Sequence, residues 1–270
     1  SWLSQADRFL ELPLGVFGVA LGTVILPSLS RHHVTTDKEG FSRALDWGLR
    51  TTLLIAVPAM FGLMILSVPL VATIFQHGRF TAFDTKMASL SISALSFGLP
   101  AFALVKVVLP AFYARKDTKT PVRAGVASLV ANMVFNVAFL ALLFFLWASP
   151  AQKAGSWMEA IATIPGLHMA LGMASALASY LNLLLLWRWL GKAGVYARQP
   201  GWSRHLVRLG VACAVMVSVL LAGLYVWPEW SAVEKWERVW RLAALVGAGG
   251  GAYVGTLFAM GFRLRDLRAQ

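Results

Sequence analysis

Seven stretches of this chain contain no charged residue and are each long enough to cross a lipid bilayer. They cover 12–30, 51–76, 87–105, 124–152, 160–187, 209–228 and 242–262. About 20 apolar residues, rising about 1.5 Å each, span a hydrocarbon core of about 30 Å. Helices of a soluble core would need polar outer faces, which these stretches lack. The chain is 58% hydrophobic and 13% charged, against about 25% charged in soluble domains, and its mean hydropathy is +0.68. The expected fold is therefore all-α, a polytopic transmembrane bundle of seven spans, because backbone exposed to lipid must satisfy its own hydrogen bonds. The span limits read from the sequence are 1–30, 48–76, 87–113, 121–148, 160–190, 205–227 and 239–262.

A formal net charge of +12 raises the question of nucleic acid. The placement of the charges excludes it. The loops after alternate spans, together with the tail, hold sixteen lysines and arginines, and the opposite loops hold six. The rich side carries Arg31, Lys38, Arg43, Arg50, Arg115, Lys116, Lys119, Arg123, Arg188, Lys192, Arg198, Arg204, Arg208, Arg263, Arg265 and Arg268. The excess marks the cytoplasmic face. It puts the C-terminus in the cytoplasm and residue 1 on the outer side. Tryptophans near the span ends, among them Trp47, Trp147, Trp187, Trp227, Trp230, Trp236 and Trp240, suit an interfacial belt. The chain begins with Ser and shows no signal-peptide pattern, so it is expected to be part of a longer protein. Cys213, the single cysteine, reads as a small buried hydrophobe.

Prolines at 13, 58, 69, 100 and 110 each remove a helix hydrogen bond and favour a bend. Small residues at spacing four, Gly18 with Gly22 and Gly247 with Gly251 and Gly255, read as close helix contacts. The run "GAGGGAYVG" lacks the preceding strand and following Lys-Ser or Lys-Thr of a phosphate loop. The segment 193–204 reads as a cytoplasmic linker. It divides the five-helix part, 1–192, from a two-helix hairpin with a cytoplasmic tail, 205–270. His32-His33 is expected in a loop without a spaced metal-binding partner. No arrangement of catalytic side chains stands out, and no enzyme is expected.

The informative charges lie inside the spans. "DRFLE" places Asp7, Arg8 and Glu11 along the first helix, about 10 Å from its start for Arg8. Helical spacing brings all three to one face or its edge. Two readings stand side by side: a side chain snorkelling to the headgroups with a carboxylate partner, or a cationic site for an anionic substrate, since the guanidinium fork matches phosphate. Lys106 allows the same pair of readings near the end of the third span. Asn132 and Asn136, at i and i+4, with Ser175 in the next span, either join helices by hydrogen bonds or hold a cation.

Taken together, "ADRFLELPLGVFGVALGTVILPSLSR", "FQHGRFTAFD", "VKVVLPAFYARKDTKTPVR" and "QPGWSRHLVRL" resemble the MurJ/MviN lipid II flippases of the MOP exporter superfamily. The resemblance runs through almost the whole chain. It implies helices eight to fourteen of a two-lobed, fourteen-helix protein, the C-terminal half. It further implies flipping of lipid II, the undecaprenyl-pyrophosphate-linked peptidoglycan precursor, across the bacterial inner membrane by alternating access. Arg8 matches a cavity arginine of the family and Glu11 an acidic cavity residue, with Asp7 and Lys106 as further substrate-binding candidates. Asn132, Asn136 and Ser175 match part of a sodium site that some members use. Na+ or the membrane potential is then the energy source. The implied partners are lipid II, membrane lipids and the missing N-terminal half, with the final hairpin forming a groove for the lipid tail. Two alternatives are a related exporter of drugs or polysaccharide-lipid intermediates, and a membrane scaffold that transports nothing.

Overall fold

The computed structural model describes residues 9, 10, 15, 25–35, 37–76, 80–148, 166 and 169–263. Helix α1 is described over 25–34. It is followed by α2 (Lys38–Ile65), α3 (Ser67–Ile74), α4 (Ala82–Ser96), α5 (Leu99–Tyr113), α6 (Lys119–Trp147), α7 (Met169–Lys192), α8 (Trp202–Val226) and α9 (Lys235–Ala259). No strand occurs among the described residues. Among the described residues, six helical segments are long and apolar enough to cross a membrane: Lys38–Ile65, Ala82–Tyr113, Lys119–Trp147, Met169–Lys192, Trp202–Val226 and Lys235–Ala259. They correspond to the second to seventh expected spans. Most of the first, 1–30, lies outside the described residues, as do Pro13, Gly18 and Gly22.

Polar residues at the helix starts explain why the helices outrun their apolar stretches. The second begins at Lys38 rather than 48 because Asp37 accepts from the Gly40 amide at 2.8 Å and Arg43 pairs with Glu39 at 2.6 Å. Thr81 and Asp84 close a reciprocal capping box on α4. Asp117 accepts from the Thr120 amide at 3.0 Å at the start of α6. His32 lies in the last turn of α1, not in a loop, and its Nδ1 is 3.0 Å from Asp37 Oδ2.

Two of the expected prolines sit just beyond helix interruptions. The second span breaks at Leu66, three residues before Pro69, and the third breaks at Phe97-Gly98, ahead of Pro100. Proline is tolerated in a first helical turn, where the missing amide has no intrahelical partner to lose. Gly98 permits the close approach of α7 at the second break, since a Cβ there would lie 2.8 Å from the Cα of Ala176. Tyr180 of α7 donates to the Phe97 carbonyl at 2.9 Å. Pro58 and Pro110 lie inside uninterrupted helices. Pro58 has no amide to offer the Leu54 carbonyl four residues back, and the Tyr253 hydroxyl of α9 donates to that carbonyl at 2.6 Å. A neighbouring helix thus satisfies the backbone group that proline frees.

The core has three main parts. Ile25, Leu45, Leu49, Val108, Phe112, Leu186 and Leu190 join α1, α2, α5 and α7. Leu54, Ala72, Leu209, Met216, Leu220 and Leu245 join α2 and α3 to α8 and α9. Met60, Val71, Ile92, Leu95 and Leu99 pack α2 and α3 on α4 and α5. Helix α6 contrasts with all of these. It buries only Pro121, Ala124, Ser128 and Phe144 and packs chiefly on α7.

The glycine stripe of α9 departs from the sequence reading. A Cβ added at Gly247, Gly251 or Gly255 would meet nothing within 4 Å, whereas one at Gly249 would lie 2.7 Å from Leu220 of α8. The helix packs through Leu245, Gly249, Tyr253 and Leu257, and the expected stripe faces outward. Trp230 also leaves the expected belt: it is buried in the second core part, while Trp236 and Trp240 are exposed.

Candidate functional site

Asp7, Arg8 and Glu11 lie outside the described residues, so their geometry contributes nothing here. Lys106 is described. It lies exposed on α5 beside the buried Val107 and Val108.

The structure brings the other expected set together. Asn132 Nδ2 of α6 donates to Ser175 Oγ of α7 at 3.3 Å, and Asn136 Nδ2 donates to Asn132 Oδ1 at 2.6 Å. Asn136 Oδ1 is buried without a hydrogen-bond partner among the described residues, as is Asn182 Oδ1 on α7. Helical spacing creates the chain: i and i+4 stack the two asparagines on the α7-facing side. Two of its three side-chain oxygens already accept hydrogen bonds, and the set carries no carboxylate. By itself it is a neutral link between helices. A hard cation, which takes a shell of oxygens, would need further ligands from beyond these three residues. No cluster of three or more His, Cys, Asp or Glu able to hold a metal occurs among the described residues.

A second polar centre was not singled out from the sequence. Asp46 of α2 is buried, with its Oδ2 2.6 Å from Arg50 Nε. Its Oδ1 accepts from Tyr196 Oη at 2.7 Å and from Trp202 Nε1 at 2.6 Å. Arg50 NH2 donates to the Pro200 carbonyl at 2.8 Å, and Ser42 Oγ bridges the Val195 carbonyl and the Ala197 amide. The segment between α7 and α8 is therefore bolted to α2 along its length. Burial, then the hydrogen bond to Asp46, pushes the Tyr196 hydroxyl well above the usual tyrosine range. The available signal was Asp-x-x-x-Arg at the head of an apolar stretch, an ion pair at i and i+4.

At the opposite end, Arg238 of α9 donates to the Ala72 carbonyl at 3.0 Å and the Gln76 carbonyl at 3.2 Å. It thereby satisfies carbonyls at the end of α3, where a cation also suits the helix dipole. Arg238 and Arg50, both counted above as loop charges, are structural.

Comparison with known proteins gives a family match. The family model "Lipid II flippase MurJ" matches residues 1–239. A "Probable lipid II flippase MurJ" of Vibrio cholerae is 39% identical over 271 residues, covering 100% of this chain and 47% of its own. A "Lipid II flippase MurJ" of Burkholderia cenocepacia is 34% identical over 274 residues, covering 99% and 48%. A "Probable lipid II flippase MurJ" of Haemophilus influenzae is 35% identical over 279 residues, covering 99% and 49%. The chain thus spans about half the length of these curated relatives. A solved structure, "Lipid II flippase MurJ, inward closed conformation", shares the fold with a TM-score of 0.69 at 23% identity, over 95% of this chain and 46% of that one.

Proposed function

The chain belongs to the lipid II flippase MurJ family, and on that premise we propose that it is the C-terminal half of a transporter that flips lipid II across the bacterial inner membrane. The observation that carries this reading is the coverage: relatives match the chain essentially end to end while extending about as far again. The work is transport, not catalysis, and the multi-pass helical fold suits it. The positive-charge bias supports residue 1 on the periplasmic side and the C-terminus in the cytoplasm.

The mechanism we propose is alternating access between this lobe and an N-terminal one. Arg8 grips the pyrophosphate with its planar fork. Glu11 and Asp7 orient it, and Lys106 adds positive charge. Helices interrupted at Leu66 and at Phe97-Gly98 are of the kind that rocking transporters use. Na+ or the membrane potential drives the cycle. Asn132, Asn136 and Ser175 would contribute neutral oxygens to a sodium ion, completed by ligands outside this set. The division into 1–192, linker 193–204 and hairpin 205–270 assigns the hairpin to the lipid tail.

Reconstitution tests the proposal. The full-length protein in liposomes should expose lipid II added on one side to a membrane-impermeant reagent on the other, and residues 1–270 alone should not. Transfer by the isolated chain, or none by the full-length protein, overturns the reading.

A further inference from the structure

Where α2 meets the start of α8 there is a cavity of about 350 Å³ lined by Arg50, Gly201, Arg204, His205, Arg208 and Phe262, among others. Cavities of about 300 Å³ and above hold small ligands. We propose that this cavity binds the phosphate of an anionic membrane lipid whose acyl chain lies in the apolar groove beside it.

The charge argument comes first. Three guanidiniums line the cavity, and among the described residues the carboxylate close by is Asp46, which is paired with Arg50. Three positive charges less one negative leave a surplus of two. Arg204 and Arg208 make no hydrogen bond or ion pair among the described residues. They stand at i and i+4 on α8, on one side of the helix. His205 Nε2 is buried without a partner among the described residues. As an N–H it would donate to a phosphate oxygen. Arg50 is held in place by Asp46 and by the Gln199 and Pro200 carbonyls, leaving Nη1, beside Gly201, without a hydrogen bond among the described residues. Gly201 has φ +90° and caps α8, whose N-terminal amides also favour an anion. At the far wall, Gly261 with φ +78° turns the chain after α9. Phe262 N donates to Leu257 O and Gly261 N to Phe258 O, a Schellman closure that folds Phe262 back onto the cavity.

The adjacent groove identifies the ligand as a lipid rather than a soluble anion. A second cavity of about 340 Å³ is lined by Leu49, Leu53, Leu104, Leu183, Trp187 and Trp202, among others, and is almost wholly apolar. Arg50, which lines the first cavity, lies over the Trp202 ring at 5.2 Å, and Trp202 lines the second. One ring therefore divides a cationic from an apolar compartment. Both lie where α2 enters its charge-free stretch at Thr51, the depth of lipid headgroups, with Trp47 at the same level.

The test is native mass spectrometry of the full-length protein with phosphatidylglycerol, phosphatidylcholine or inorganic phosphate. Phosphatidylglycerol should be retained preferentially. Arg204→Gln with Arg208→Gln should weaken its retention by about tenfold or more, with an unchanged melting temperature in lipid-free detergent. If that double variant melts lower, Arg204→Lys with Arg208→Lys, which keeps the charge, should restore stability and part of the retention. Equal retention of the two lipids, or retention untouched by the double variant, overturns the proposal. Inorganic phosphate bound as tightly as phosphatidylglycerol overturns the assignment to a lipid.

Discussion

Two of the polar contacts between helices, set in an apolar background, are built in opposite ways. Where α2 meets α8 and the preceding segment, a buried carboxylate holds a guanidinium, a phenol and an indole at once. Where α6 meets α7, two amides and a hydroxyl form a neutral chain that leaves one amide oxygen open. The first fixes both position and rotation, because any shift leaves a buried charge unpaired. The second joins two helices through neutral groups and leaves no charge to be unpaired. The surroundings match: the α2 junction continues into a many-membered core, while α6 turns most of its apolar surface outward, Val126, Val130, Met133 and Val137 included. Under the alternating access proposed above, the charged junction ties α2, the segment before α8 and α8 into one unit.

The sharpest way to break the comparison is at Asp46. Asp46→Ala leaves Arg50, Tyr196 and Trp202 without their shared acceptor and should destabilise the fold by about 3–5 kcal/mol, the usual cost of breaking a buried pair from one side. Thermal unfolding in detergent measures it, and a change near zero would dissolve the distinction. Next is Tyr253→Phe. It uncovers the Leu54 carbonyl that Pro58 cannot serve and should cost about 1–3 kcal/mol; the double variant with Pro58→Ala should recover most of that.

The amide link should respond less. Asn132→Ala is expected to cost about 0.6–1.7 kcal/mol, the range for hydrogen bonds between membrane helices, and a cost matching that of Asp46→Ala would make the two contacts equivalent. The smallest effects belong to the loop caps. The Gly40 amide holds the Asp37 carboxyl below its ordinary value, and the Thr120 hydroxyl and amide do the same for Asp117. A depressed folded pKa gives stability that is present above the unfolded value of about 3.9 and is lost as pH falls through the folded value. Amide-exchange protection at Gly40 and Thr120 should therefore fall below about pH 4.

The membrane class was written in the seven charge-free stretches, since nothing but a bilayer tolerates so many. The amide pair was legible because i and i+4 fixes which side chains share a face. Three features were not. Arg50 and Arg238 count as loop charges in any tally, yet each is held by partners distant in sequence: carbonyls at 199 and 200 for Arg50, at 72 and 76 for Arg238. The glycines of α9 were expected to pack at 247, 251 and 255, and only the side chains of α8 decide that Gly249, not Gly251, meets Leu220. Breaks at Leu66 and Phe97-Gly98 needed the neighbouring helices too, because a proline says that a bond is missing and not what replaces it.

The proposed role of this chain is the C-terminal half of a lipid II flippase, with Arg8 on the pyrophosphate. The direct test is complementation: deplete the host's own flippase and express the full-length protein as wild type, Arg8→Ala and Arg8→Lys, each verified at normal membrane levels. The account predicts growth with wild type, failure with Ala and severe impairment with Lys, because a point charge does not replace the fork. Full growth with both variants would contradict it and return "DRFLE" to the membrane interface.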